Sequence, residues 1–326
     1  MIFKLLKNTF FLFLLFSYLQ GYSQSENIQR EVNIRIENPV NQTIIQINLP
    51  DSLPYLATGK KTTLVFYALP NGNSIEWTMG KRMQAGDDWH YAIQHIAAQA
   101  RYLRRQLSDE NIILVYLASF GKSWPAWKRA RTNGPAEIRR LVDSVSGAFT
   151  IWHPQIVLDS HSGGGSFIFG YLDAVDQIPS TITRIAFIDS DYGYEDSLHT
   201  EKLVHWLQSS PAHHLSVLAY NDSVVIYNGK PLVSPRGGTW YRSRWLLQQL
   251  SRHFRFQSQL DTSFLHYSAL QGRIDIWLKT NKNGLIYHTE QVYRNGFIQS
   301  LLSGTPLDNR RYRYWGKPVY SDYISP

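Results

Sequence analysis

Two spacings of apolar residues divide the chain into predicted strands and helices. Short continuous apolar runs, which are typical of strands buried on both faces of a sheet, recur along the sequence. These predicted strands cover residues 62–69, 111–118, 155–159, 182–189, 215–220 and 273–279. Between them, apolar residues repeat at helical spacing in residues 89–107, 135–149, 197–207 and 239–254.

This alternation of strands and helices predicts the fold class. Strands that alternate with helices of this length indicate an α/β fold, with a mainly parallel central sheet and helices on both faces. Residues 31–37 and 43–49 instead alternate apolar and polar side chains around a turn at 38–41, so we expect a β-hairpin to open the fold. Because the sequence shows no repeat and no linker, residues 24–326 are predicted to form one domain.

The first 23 residues differ from the rest of the chain. Lys4 and Lys7 precede an apolar run at 10–16, and small residues precede Gln24. This order is typical of a secretory signal peptide, and the run is shorter than the roughly 20 apolar residues of a membrane-spanning helix. We therefore expect residues 1–23 to be removed and the mature chain to be secreted or periplasmic, without stable membrane insertion.

Composition and motifs argue against several classes of protein. The chain has no cysteine, which excludes disulfides and thiolate metal sites. The formal net charge is +8, but the basic residues are dispersed and match no nucleic-acid-binding motif. His90 and His95 are five residues apart, which does not place them on one helical face, and no glycine-rich phosphate-binding motif is present. We expect no nucleic-acid partner, no metal and no cofactor.

The most informative segment surrounds Ser162. A predicted strand breaks into the small residues of the sequence Ser160-His161-Ser162-Gly163-Gly164 and is followed by an apolar helix. Small residues two positions before and after a serine are typical of a nucleophile elbow, a strained strand-to-helix turn that leaves no room for larger side chains. The N-terminus of the following helix would stabilise a developing oxyanion. Ser162 is therefore the candidate nucleophile.

The elbow, the opening hairpin and the order serine, acid, histidine together resemble the α/β-hydrolase superfamily over about residues 30–305. The resemblance implies that Ser162 is the nucleophile and that His288, which follows the last predicted strand, is the general base. His266, His213 and His214 are the rival histidines.

The resemblance also implies a carboxylate that orients the histidine. In the family this acid usually follows the strand after the next one, here residues 215–220, so Asp222 is the preferred acid. Some relatives place the acid one strand earlier, where Asp189 and Asp191 stand. These two remain alternatives, because spacing along the chain does not decide spatial reach.

Two backbone donors are expected to form the oxyanion hole. The resemblance implies that one is the N–H of Gly163 and that the other comes from the loop after the strand at 62–69. That loop reads Pro-Asn-Gly-Asn, so the second donor is Asn71 or Gly72.

Aromatic and basic residues after two strand ends are candidates for substrate binding. Trp124 and Trp127 follow one strand end, and Arg236 and Trp240 follow the preferred acid. Aromatic faces could stack on sugars or aryl groups, and the arginine could meet a carboxylate. The competing interpretation is that these side chains pack in the core.

These observations predict an exported serine hydrolase that cleaves a carboxylic ester, less readily an amide, through an acyl-enzyme on Ser162. The expected substrate is a small-molecule or saccharide ester. The alternatives are a secreted serine peptidase and a glycan-binding protein that uses a hydrolase scaffold without catalysis.

Overall fold

A computed structural model describes residues 31–50, 56, 59–87 and 93–325. The predicted signal peptide at 1–23 lies outside the described residues. Twelve strands are present among these residues. They are β1 Val32–Asn38, β2 Thr43–Leu49, β3 Lys61–Ala68, β4 Glu110–Ser119, β5 Gln155–His161, β6 Ile182–Ile188, β7 His214–Tyr220, β8 Ile226–Tyr227, β9 Lys230–Pro231, β10 Gln257–Leu260, β11 Phe264–Ala269 and β12 Ile274–Lys279.

The α-helices of the described chain connect these strands. They are α1 Ile75–Met79, α2 Ile96–Gln106, α3 Trp124–Arg129, α4 Gly134–Gly147, α5 Gly165–Asp173, α6 Asp196–Ser209, α7 Thr239–Leu250 and α8 Phe297–Leu302. None of these helices has the length and apolar character needed to cross a membrane.

Ten of the strands form one sheet in the order β1-β2-β4-β3-β5-β6-β7-β12-β11-β10. The six strands from β4 to β12 are parallel to one another, whereas β1, β2, β11 and β10 pair antiparallel at the two edges. The sheet separates two apolar cores, one on each face. The predicted α/β class, the mainly parallel sheet and the opening hairpin are therefore confirmed.

The edge strands β10 and β11 were not predicted from the sequence. Every residue of β10 is exposed and β11 is mostly half-buried, so neither strand carries a continuous apolar run. Only the parallel strands at the centre of the sheet are buried on both faces. The edge strands therefore lack the continuous apolar runs from which strands were predicted.

The strand order places β5 next to β3 on one side and β6 on the other. All three strands run parallel, so their carboxyl ends meet at one edge of the sheet. Ligands and reactive groups collect at this edge in open α/β sheets. Ser162, Asp189 and the loop that contains Asn71 all follow these strand ends.

Candidate active site

Ser162 lies on a sharp turn between β5 and α5. Its φ angle is +55°, in the left-handed region that a residue with a side chain rarely adopts. The side chain is only partly buried, whereas both of its neighbours are buried. A methyl group on Gly164 would lie 2.1 Å from the carbonyl oxygen of Ala68, the last residue of β3, so only glycine allows this close approach. The structure therefore has the geometry that the elbow sequence predicts.

His288 is held by a buried carboxylate. Its Nδ1 contacts Oδ2 of Asp189, which directly follows β6 and is fully buried. A carboxylate only accepts hydrogen bonds, so Nδ1 carries the proton and Nε2 keeps its lone pair. About a quarter of the His288 side chain is exposed. This imidazole is arranged to accept a proton on the side that faces away from Asp189.

The preference for Asp222 as the acid is corrected by this geometry. Asp222 directly follows β7, as expected, but it accepts the backbone N–H of Thr239 at 2.9 Å, at the first residue of α7. A methyl group on Gly238 would lie 2.3 Å from Asp222 Oδ1, so the carboxylate is pressed against the start of this helix. Asp222 caps the N-terminus of α7, and Asp189, one of the two alternatives, contacts the histidine.

Asp191, the other alternative, also has a different partner. Its Oδ2 accepts a hydrogen bond from Ser243 Oγ at 2.7 Å, inside the domain. Burial raises the pKa of Asp191 to about 8, and the nearby Asp189 adds to this effect. Burial likewise raises the pKa of Asp222 to about 6, again with a contribution from Asp189. Two protonatable carboxyl groups therefore lie close to Asp189, the only one of the three that contacts His288.

Thr239 links the two carboxylates, although no motif in the sequence marks it. Its hydroxyl donates to Asp189 Oδ1 and lies 3.4 Å from Asp222 Oδ2. With this hydroxyl on one oxygen and His288 on the other, Asp189 is fixed at both ends. The only sequence signal was indirect, because Thr239 begins a predicted helix.

His161 also contacts His288. The two rings lie 4.5 Å apart, and His161 Nε2 is 3.0 Å from the backbone carbonyl oxygen of His288. A carbonyl only accepts hydrogen bonds, so Nε2 of His161 carries the proton and donates. Burial lowers the pKa of His161 well below its ordinary value, and the neighbouring His288 lowers it further. A neutral His161, next to Ser162 in the chain, thus joins the elbow to the histidine loop.

The two candidates for the second oxyanion donor differ in their contacts. The N–H of Gly72 donates to the carbonyl oxygen of Lys122 at 2.8 Å, so it is already used inside the protein. Asn71 lies directly against the elbow, since a methyl group on Gly163 would be 2.1 Å from Asn71 Oδ1. The structure brings Gly163 and Asn71 together and removes Gly72 as a donor.

The rival histidines make other contacts. His266 Nε2 lies 2.6 Å from Asp275 Oδ1, but both residues lie within the antiparallel pair of β11 and β12 rather than after a strand end. His213 Nδ1 contacts the carbonyl oxygen of Trp206, and burial lowers the pKa of His214 to about 3. Among these four histidines, only His288 follows the carboxyl end of a parallel strand.

Two of the predicted substrate-binding aromatics belong to the core. Trp124 is 1% exposed, donates from Nε1 to the carbonyl oxygen of Leu117, and packs against Phe167. Trp127 is also buried and donates from Nε1 to Asn41 at 2.7 Å. The expectation that these two rings line a substrate site is wrong, because their faces and N–H groups are occupied by the protein itself.

Arg236 and Trp240 lie closer to solvent. Arg236 is exposed in the loop before α7, and Trp240 is half-buried against the core beneath Arg244. A substrate contact by Arg236 or Trp240 stays a prediction. Among the described residues, no three histidine, aspartate or glutamate side chains gather as metal ligands.

Comparison with known proteins finds similarity only at the level of solved structures. No family model matches the chain, and no curated protein matches it. A thermostable esterase superposes with a TM-score of 0.49 at 12% identity, over 84% of this chain. The chain spans 63% of the length of that esterase.

Two further solved structures are similar to a lower degree. A protein assigned as a carboxylesterase from Lactobacillus plantarum gives a TM-score of 0.35 at 14% identity, over 69% of this chain and 83% of its own. The zinc-bound structure of a cold-adapted esterase from an Arctic intertidal metagenomic library gives 0.39 at 11% identity, over 86% and 98%.

Proposed function

We propose that this protein is a serine hydrolase that cleaves carboxylic esters, with Ser162 as nucleophile, His288 as general base and Asp189 as the orienting carboxylate. The observation that carries the proposal is the contact of His288 Nδ1 with the buried Asp189, in a loop held to the residue that precedes Ser162. A nucleophile, a base and a carboxylate that orients the base are the requirements of covalent acyl transfer.

The proposed reaction begins when Ser162 Oγ attacks the ester carbonyl carbon. His288 Nε2 takes the hydroxyl proton, and Asp189 stabilises the imidazolium that forms. The tetrahedral intermediate collapses, the C–O bond to the alcohol breaks, and His288 returns the proton to the leaving oxygen. Water, deprotonated by the same histidine, then attacks the acyl-enzyme and releases the acid.

The developing negative charge on the carbonyl oxygen requires donors that are already in place. The N–H of Gly163, two residues before α5, is the first donor in this proposal, and the backbone N–H of Asn71 is the second. Their support is the close packing of the Asn71 side chain on Gly163, which places the two residues next to each other. Two preorganised donors of this kind typically contribute several kcal/mol to transition-state stability.

His161 acts in this proposal as a positioning residue. Its Nε2–H holds the backbone of His288, while Asp189 holds the side chain of the same residue. Because its pKa is lowered, His161 stays neutral and adds no positive charge beside the imidazolium. The general base is therefore fixed at two points.

Replacement of the nucleophile tests the function. We expect Ser162→Ala to lower the hydrolysis of a p-nitrophenyl ester by at least about 10⁴-fold, because no hydroxyl remains to form the acyl-enzyme. The circular dichroism spectrum and melting temperature should stay close to those of the parent. Ser166→Ala, four residues along the same segment and also partly exposed, is the matched control and should retain activity. An unchanged rate in Ser162→Ala would refute the proposal.

A comparison of ester hydrolysis with the hydrolysis of an aminoacyl amide separates the ester hydrolase from its two rivals. A peptidase would cleave aminoacyl amides at rates comparable to esters, and a glycan-binding protein would cleave neither. Export belongs to the proposal as well, supported by the lysines and the apolar run within residues 1–23.

A further inference from the structure

An exposed apolar surface borders His288. Six large apolar side chains, between 37% and 62% exposed, lie on the two segments that follow the neighbouring parallel strands β7 and β12. We call this surface the apolar rim. Its residues are Val224, Ile226, Tyr227, Leu232, Leu285 and Ile286.

The concentration of these residues is unusual for a soluble surface. The described chain has twelve prominently exposed large apolar side chains, and half of them belong to the apolar rim. Single exposed apolar residues need no explanation, but a contiguous group of them marks an interaction site.

The two segments of the rim contact each other beside the site. Asn281 Nδ2 donates to the carbonyl oxygen of Asn221 at 3.0 Å, and a methyl group on Gly284 would lie 3.2 Å from the carbonyl oxygen of Val224. The second segment leads directly into His288. The rim is therefore one surface next to the general base.

The hairpin of β8 and β9 projects from the domain. All four of its residues, Ile226–Tyr227 and Lys230–Pro231, are exposed. Neighbouring residues of a strand point to opposite faces, so exposure of both Ile226 and Tyr227 means that neither face of the hairpin packs on the protein. A projecting hairpin can insert into a deformable surface such as a lipid layer, whereas a small dissolved ligand binds in a concave cleft.

The charge around the rim selects its partner. The segments 223–237 and 280–288 contain Lys230, Arg236 and Lys282, all exposed, and no acidic residue. A symmetric contact with a second copy would bring these cations together, which is unfavourable. Apolar side chains interspersed with lysine and arginine, with a tyrosine among them, are complementary to an anionic lipid surface.

We propose that the apolar rim docks the protein on an anionic lipid surface. Ile226, Tyr227 and Leu285 enter the boundary between headgroups and acyl chains, and the three basic residues contact the lipid headgroups. The surface does not depend on catalysis. An extension of this proposal rests on the proposed function: if Ser162 is the nucleophile, docking brings it to esters carried in lipid.

Vesicle flotation tests the docking. The protein used begins at Gln24, so that the apolar N-terminal run is absent, and carries Ser162→Ala, so that no lipid is hydrolysed. We expect binding to phosphatidylcholine vesicles that contain phosphatidylglycerol and little binding to phosphatidylcholine alone. The double variant Ile226→Ser/Leu285→Ser should reduce the partition coefficient by roughly tenfold or more, since two large apolar side chains no longer enter the lipid.

Ile151→Ser is the matched control. Ile151 is 53% exposed but precedes β5, so it lies near the amino ends of the parallel strands, whereas the apolar rim follows their carboxyl ends. Its replacement should therefore leave vesicle binding unchanged. Melting temperatures verify that each variant is folded. The proposal is overturned if the parent ignores anionic vesicles, if it binds neutral vesicles equally well, or if the double variant binds like the parent. It is also overturned if sedimentation shows a dimer that the double variant abolishes.

Because binding is measured in an inactive background, its failure leaves the proposed function untouched. Conversely, loss of the esterase proposal through the Ser162→Ala assay leaves the docking result intact. The extension to lipid-borne esters is tested last, by comparing the active parent and the active Ile226→Ser/Leu285→Ser variant. We expect the double variant to lose activity on esters in anionic vesicles and to keep it on a dissolved ester. Equal loss on both substrates would contradict the extension.

Discussion

Asp189 and Asp222 follow neighbouring parallel strands, and both are almost completely buried, yet they have different partners. Asp189 contacts His288, whereas Asp222 accepts the backbone N–H at the start of α7. Thr239 lies between them and contacts both. The comparison shows that a carboxylate at a strand end is not by itself a catalytic acid, because its role depends on which side chain or helix reaches it.

The largest expected effect is the loss of catalytic rate when Asp189 is replaced. Asp189→Asn should lower kcat by about 10⁴-fold, because an amide does not fix the Nδ1–H tautomer or stabilise the imidazolium. Asp222→Asn is the matched control, buried to the same extent, and should cost less than about tenfold since it does not touch His288. Steady-state kinetics on an ester measure both effects. Equal losses in the two variants would contradict the different roles of Asp189 and Asp222.

The next effect concerns the second point at which His288 is held. His161→Phe keeps an aromatic ring but removes the Nε2–H donor, so kcat should fall roughly tenfold to a hundredfold as the imidazole loses its fixed position. His161→Gln keeps a donor and should recover most of this loss.

A purely structural role of His161 is distinguished by the pH profile. In His161→Phe, the pH at which kcat/KM is half-maximal should shift, because the surroundings of His288 change, while His161→Gln should keep the parent profile. Identical profiles in all three proteins, with losses that follow the melting temperature alone, would contradict the positioning role.

The smallest effect is a pH dependence of stability that belongs to Asp222. Its pKa is about 6 in the folded protein, above the ordinary value of about 3.9 for an aspartate. Between these values the unfolded chain ionises while the folded chain keeps the proton, so the contribution of Asp222 to the free energy of unfolding falls as pH rises. The fall is at most about 1.4 kcal/mol per pH unit.

Denaturant unfolding between pH 4 and pH 6 measures this contribution. Relative to Asp222→Asn, which cannot ionise, the parent should lose stability over this interval. Curves that run parallel would contradict the raised pKa of Asp222, because they would show that its carboxyl group ionises equally well in the folded and unfolded states.

Much of the fold was predictable because its determinants are local. Strands buried on both faces carry continuous apolar runs, and the elbow at Ser162 requires small neighbours for steric reasons. Both features can be seen within a few residues of sequence. The exposed strand β10 has no such signature, since pairing with β11 rather than burial defines it.

The partner of His288 was not predictable with the same certainty. Asp189 and Asp222 both follow apolar runs, and the sequence holds no information on which of them the 281–288 segment reaches. For the aromatic residues, the position along the chain was predicted but the direction of the side chains was not. Trp124 and Trp127 follow a strand end near the site, but a short helix turns them back onto the core, and this direction depends on tertiary packing.

The central claim is that Ser162 is activated by its surroundings in the folded protein. The most direct test is to treat the native chain with a fluorophosphonate and to locate the adduct by mass spectrometry of its peptides. We predict a single adduct on Ser162 that forms much more slowly in Asp189→Asn and does not form in protein denatured beforehand. An adduct on another serine, or no adduct on the native chain, would contradict the account.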